Sequence, residues 1–163
     1  MSSEIERKFL VKSDAWRGKV TATLAIRQAY LTTDGKASVR VRIYDNTSAA
    51  LTVKSLPATL RRLELEFPIP VPEAETMIGL CHGAVIEKVR HLVPYDGLTI
   101  DVDVFSGENA GLVMAEIELR DENERVALPD WIGAEITGQP QYYNSALAEQ
   151  PYTTWTQQQP AMA

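Results

Sequence analysis

The chain has 163 residues, 45% of them hydrophobic, enough for one domain with a substantial core and few for two. Its 22 acidic against 16 basic residues leave a net charge of −6, so no positive surplus waits for a nucleic-acid backbone. A lone cysteine, Cys81, excludes an internal disulfide, no apolar run approaches the ~18 residues of a membrane span, and Met1-Ser2-Ser3-Glu4 opens no secretory leader; the expectation is a cytoplasmic protein with neither nucleic acid nor membrane as partner.

Apolar residues recur with period two through most of the first 120 positions, which predicts strands over 3–12, 23–33, 37–45, 49–56, 60–69, 84–94, 97–106 and 112–121. Thr33-Asp34-Gly35-Lys36 and Tyr95-Asp96-Gly97 fall between strands as hairpin turns should, so neighbours are expected to run antiparallel. Pro72 with Glu73 and Glu75 opens a helix near 73–81, and Gly83 stands where it would stop. Two short helices are expected around Pro129-Asp130-Trp131-Ile132 and Tyr142–Leu147. The Gln- and Pro-rich end, 151–163, has little to bury and is expected to fray, leaving residues 1–150 as a single domain.

Side chains two apart on a strand share a face. One face of nearly every predicted strand is charged: Glu4, Glu6 and Lys8; Arg40 and Arg42; Lys54 beside Thr52; Arg62, Glu64 and Glu66; Lys88 and Arg90; Asp101 and Asp103; Glu116 and Glu118. A sheet with one wet face also alternates, but such a face ordinarily mixes in Ser, Thr and Gln. Here the positions are mostly like-charged pairs. Two carboxylates about 6.6 Å apart at an effective dielectric near 20 repel by roughly 2.5 kcal/mol, close to two pKa units. That repulsion makes sense in a concave site where a multivalent cation sits between the acids and a multivalent anion between the bases. Eight strands close into a barrel wide enough for side chains and one small ligand. With the charged face inward, the lumen holds eight acids and seven bases. Divalent ions on the acids would turn it into a trap for a chain of phosphates. The apolar faces would then point outward, to be covered by the helices near 73–81 and 130–148 and by a second copy of the chain in a homodimer.

Glu4-Ile5-Glu6-Arg7-Lys8 resembles the N-terminal E-x-E-x-K motif of the CYTH family, the triphosphate tunnel metalloenzymes. The likeness continues in order through Val39-Arg40-Val41-Arg42, Leu51-Thr52-Val53-Lys54, Glu64-Leu65-Glu66, Ile86-Glu87-Lys88-Val89-Arg90 and the stretch from Asp103 to Glu116-Ile117-Glu118. The resemblance implies an α+β protein, an eight-stranded antiparallel tunnel with flanking short helices, that acts on triphosphates with Mg²⁺ or Mn²⁺. It implies Glu4, Glu6, Glu116, Glu118 and Asp103 as metal ligands, and Lys8, Arg40, Arg42, Lys54, Lys88 and Arg90 as the phosphate grip; Arg62 joins the grip by its face. Lys8, Glu64, Glu66 and Asp103 are the candidate catalytic groups, the carboxylates orienting a water for in-line attack on the terminal phosphorus. Inorganic tripolyphosphate is the favoured substrate, because no segment for a base or sugar stands out. An adenylate cyclase of the class IV type, a thiamine or nucleoside triphosphatase, and a non-catalytic polyphosphate-binding module remain as alternatives. His82 and His91 are assigned structural roles outside the charged set, and Tyr142, Tyr143 and Trp155 are expected to pack.

Overall fold

The computed structural model describes residues 2–33, 35–56 and 61–155. Among these, nine strands form: β1 (Ser2–Val11), β2 (Ala22–Thr32), β3 (Ala37–Tyr44), β4 (Ser48–Ser55), β5 (Arg61–Ile69), β6 (His82–Tyr95), β7 (Leu98–Ser106), β8 (Val113–Glu118) and β9 (Ile132–Glu135). The helices are α1 (Val71–Leu80) and the short α2 (Asn144–Glu149). All eight predicted strands are present. β9 lies where a helix was expected; its four residues pair with the second half of β1, Phe9 opposite Glu135 and Val11 opposite Ile132.

Every pairing is antiparallel, in the order β5-β4-β3-β2-β6-β7-β8-β1. β1 then meets β5 over Ser2–Ile5, which joins the run into a ring of eight. The seam covers four residue pairs, and beyond it β1 turns to β9. Two tight hairpins help set the register. Asp96-Gly97 joins β6 to β7 with both residues at positive φ, and the three-residue loop Asp45-Asn46-Thr47 joins β3 to β4 with Asp45 and Asn46 at positive φ and no glycine. Asp and Asn tolerate that backbone region better than other non-glycine residues. The Asp45 carboxylate also accepts the Ala25 N–H at 2.8 Å. Asp34 of the other predicted hairpin lies outside the described residues.

The apolar outer faces are covered unevenly. Ile5, Phe9, Val93, Ile100, Val102 and Ile117 pack under Trp16 and Trp131, which arrive on the loops after β1 and before β9. α1 lies over Val41, Ile43 and Ala49, burying Ala74 completely. β5 keeps Leu63, Leu65 and Phe67 exposed.

α2 does not join this outer cover. Leu147 and Ala148 pack with Leu10, Ile86, Phe105 and Met114, which stand on the same strand faces as the charged residues. The inner face is therefore apolar at one end and charged beyond it, and the C-terminal segment forms the end wall. Gly83 permits the approach, since a Cβ there would come within 2.7 Å of the Ala148 carbonyl oxygen and its φ of +76° suits glycine. Residues through Trp155 are docked rather than frayed: Tyr152 and Trp155 stack on this cluster, and the Tyr152 N–H donates to Asn109 Oδ1 at 2.7 Å. Leu147→Ala is expected to lower unfolding free energy by about 3 kcal/mol in urea titrations. A change below about 0.5 kcal/mol would show the C-terminal segment to be a dispensable surface element.

Candidate active site

Cross-strand register brings the charged side chains to one space. Lys8 stands opposite Glu116, and Glu116 opposite Asp101. Arg90 stands opposite Asp103, Arg40 opposite Thr52, Thr52 opposite Glu66, and Lys54 opposite Glu64. Directly opposed residues share a face, so this series maps the inner wall around the ring. A cavity of about 240 Å³ opens there, lined by the six cations Lys8, Arg40, Arg42, Lys54, Lys88 and Arg90 and by the four carboxylates Glu6, Glu64, Glu66 and Glu116. A second, wider space of about 570 Å³ shares Glu6, Arg90 and Glu116 and adds Asp101, Glu118 and Arg120. Cations dominate the first chamber and acids the second.

Glu118 is exposed in the second space, where the register sets it opposite Glu6. Asp103 lies beneath the first chamber, 1% exposed, with both oxygens held: Arg90 donates to them at 2.8 and 2.9 Å, and Lys88 Nζ sits 2.8 Å from Oδ2. The looser contacts are elsewhere. Lys8 Nζ stands 4.0 Å from Glu6 and 3.9 Å from Glu116, and Lys54 Nζ 3.7 Å from Glu64. Side chains of Glu4 and Arg62 lie outside those described; their backbones are opposed across the β1–β5 seam.

Sequence reasoning missed several uncharged groups. Gln28 and Tyr30 on β2, Ser38 on β3, and Asn144 and Ser145 at the start of α2 stand in or beside the cavity. Tyr143, expected only to pack, lines it with its ring 5.5 Å from Lys8 Nζ, whereas Tyr142 and Trp155 do pack together. Gln28 shares a strand face with Ile26 and Tyr30, and an amide between two apolar residues on a buried face was the available signal. His91 packs against Trp16 on the outer side, as assigned. His82, of the same strand parity as Lys88, stands opposite Tyr30 on the inner side of β6 rather than out of face with the charged set; it is exposed and does not line the cavity.

Burial dominates the electrostatics. It lowers Arg42 to about 10, with Arg40 and Arg90 adding repulsion. It lowers Lys88 to about 7 against the pull of Asp103, with Arg90 and Arg42 pushing further down. These cations lack full compensation, which an anionic guest would supply. Burial alone would raise Glu116, but Lys8, Arg90, Lys88 and Lys54 outweigh it and hold the carboxyl well below the ordinary range. Asp101, on the acidic side, is pushed up to about 6 by burial, against Arg90 and with Glu116 adding repulsion.

The donor set suits a hard divalent cation. Glu6 and Glu116 offer carboxylate oxygens to the cavity, Glu116 ionised without a metal, and Glu64 Oε2 is buried with no hydrogen-bond donor. Among the described residues no three Asp, Glu, His or Cys side chains already converge into an ion cage.

Asp103 yields a pH test. Burial works against its ionisation, but Lys88 and Arg90 overcome this and depress its folded pKa below the ordinary 3.8. Its stabilisation is therefore fully present above the unfolded value and lost as pH falls through the folded one. Asp103→Asn removes the carboxylate that Lys88 and Arg90 share and is expected to cost about 3 kcal/mol at pH 7, with a shallower loss of melting temperature below about pH 4. An unchanged melting temperature at pH 7 would remove Asp103 from this role.

Comparison with known proteins agrees with this architecture. The family model for the CYTH domain matches residues 2–149. The chain is 48% identical over 153 residues to an inorganic triphosphatase of Acetivibrio thermocellus, covering 93% of this chain and 97% of that protein. It is 36% identical over 151 residues to an inorganic triphosphatase of Nitrosomonas europaea, covering 90% and 97%. A crystal structure of an inorganic triphosphatase superposes with a TM-score of 0.68 at 34% identity, over 89% of this chain and 97% of that one. Ring, charged lumen and ordered motifs thus coincide with a match over nearly the whole length, and the chain belongs to the CYTH family.

Proposed function

We infer that this protein hydrolyses inorganic triphosphate, with tripolyphosphate and water giving diphosphate and phosphate. The observation that carries this reading is the cavity in which six cations, two of them with pKa values lowered chiefly by burial, face four carboxylates. Close relationship to two inorganic triphosphatases supports it.

Arg40, Arg42, Lys54, Lys88 and Arg90 bind the phosphate oxygens, the guanidinium groups suited to bidentate contact. Lys8, between Glu6 and Glu116, meets the phosphate at the junction of the two chambers. Glu6, Glu116 and Glu118, with Glu4 on the same strand, would hold Mg²⁺ or Mn²⁺, which when bound supplies charge neutralisation and polarises phosphoryl oxygens. Glu64 or Glu66 orients a water toward the terminal phosphorus. The new P–O bond forms as the bridging P–O bond breaks, and the cations take up charge on the departing diphosphate. Asp103 holds Lys88 and Arg90 in place for that task. The unpaired Cys81 thiol fits a cytoplasmic setting.

The test is a panel of tripolyphosphate, ATP, thiamine triphosphate and diphosphate, each with Mg²⁺ or Mn²⁺. Fastest phosphate release is expected from tripolyphosphate, with none from diphosphate. Faster turnover of ATP or thiamine triphosphate would overturn the assignment, and absence of release with either metal would leave a binding module. Glu116→Gln is expected to lower kcat by roughly 10²-fold or more with the fold intact, whereas Lys8→Ala and Arg40→Ala mainly raise KM. Parent kinetics in all three variants would refute these roles.

A further inference from the structure

The buried cations of the inner wall are not all held in the same way. Arg90 and Lys88 share the carboxylate of Asp103. On its other side Lys88 Nζ donates to Asn144 Oδ1 at 3.1 Å, from the first residue of α2. The same oxygen accepts from Gln28 Nε2 at 3.2 Å, and Gln28 Oε1 accepts from Arg42 Nε at 2.6 Å. Gln28 is fully buried. A continuous chain thus runs Arg42, Gln28, Asn144, Lys88, Asp103, Arg90, through β3, β2, α2, β6 and β7.

Both amides have their orientation dictated. Arginine and charged lysine only donate, so Gln28 must turn its oxygen to Arg42 and Asn144 its oxygen to Lys88; the Gln28 NH₂ is then left to donate to Asn144. A neutral carbonyl orients a cation without cancelling its charge, whereas a carboxylate would do both. Asp103 already offsets one charge of the Lys88–Arg90 pair; a second carboxylate at Asn144 would leave that pair with no net charge for an anion.

We propose that Asn144 and Gln28 are positioning residues of the phosphate-binding site: their neutral oxygens aim Lys88 and Arg42 while leaving those cations' charge for the substrate. The end wall built by α2 is then part of the binding apparatus as well as a packing element. This rests on the triphosphate reading of the same cavity.

The decisive variant is Asn144→Asp, which keeps shape and both accepted hydrogen bonds while adding one negative charge. Asn144→Ala removes the acceptor and adds none. Melting temperature, KM and kcat for tripolyphosphate with Mg²⁺, and calorimetric affinity for a non-hydrolysable imido analogue of tripolyphosphate would be measured for parent and variants. Expected are a melting temperature for Asn144→Asp equal to or above the parent's, with affinity at least tenfold weaker, KM raised and kcat less affected. Asn144→Ala is expected to melt lower yet bind the analogue better than Asn144→Asp. This inversion of stability and affinity is what a purely structural residue would not produce. Parent-like affinity in Asn144→Asp, or affinity that follows melting temperature across the three proteins, would overturn the proposal. Should Asn144→Asp fail to fold, Asn144→Ala decides alone: a three- to tenfold loss of analogue affinity supports the role, and an unchanged affinity removes it. Parent protein that binds the analogue but releases no phosphate would overturn the triphosphatase reading while the comparison of affinities still judged this one.

Discussion

Charge placed inside a ring must be answered inside the ring, and that requirement organises this molecule. Water at an open surface would screen like-charged neighbours, but Lys8, Arg40, Arg42 and Lys88 are each no more than 7% exposed. One solution is internal. Asp103 takes two cations with short contacts, fixing the wall between β6 and β7 while offsetting one of their two charges. Elsewhere oxygens and ammonium groups stand nearly 4 Å apart, a spacing that leaves both sides ready for a guest of mixed sign. The fold is thus held by short ionic contacts at Asp103 and by looser ones around the rest of the cavity.

The charged lumen was legible because β-structure has a period of two: parity alone sorted Lys8 from Phe9 and Arg90 from His91, and their placement in the structure keeps that sorting. Parity also accounts for His82, which stands on the side of Lys88, opposite Tyr30. The register shift between Ile86 and His82, beside Gly83 at φ +76°, is not announced by the local composition, where the glycine reads as a helix stop. β9 is four residues long, contains Gly133 and is fixed by pairing with β1, a partner over 120 positions away, so neither periodicity nor propensity could reveal it. Leu10, Ile86 and Phe105 sit on the charged face but under α2, which shows that one face can change character along its length when another element closes one end. Gln28 and Asn144 carry no charge and were passed over for that reason. Their importance comes from what they touch.

The two ends of the chain are interdependent at the site. Lys8 receives its backbone hydrogen bonds from the segment after β9: the Lys8 N–H donates to Thr137 Oγ1 at 2.9 Å, and the Ile136 N–H donates to the Lys8 carbonyl at 2.8 Å. Tyr143 then places its ring beside the Lys8 ammonium. The N-terminal motif therefore acquires its geometry from residues 132–145 as much as from its own strand. Fold and site are one assembly here, with no scaffold separable from the chemistry.

The placement of β1 also bears on biosynthesis. β1 is made before every strand it pairs with; it meets β5 only along its first half, and its other partners, β8 and β9, follow later in the chain. During that wait its hydrogen-bonding edge lies open to neighbouring nascent chains. Glu4, Glu6, Arg7 and Lys8 punctuate the strand with charge, the means by which natural strands discourage such self-association. Charge that lines the cavity at Glu6 and Lys8 in the folded chain thus also discourages association of the unfinished polypeptide.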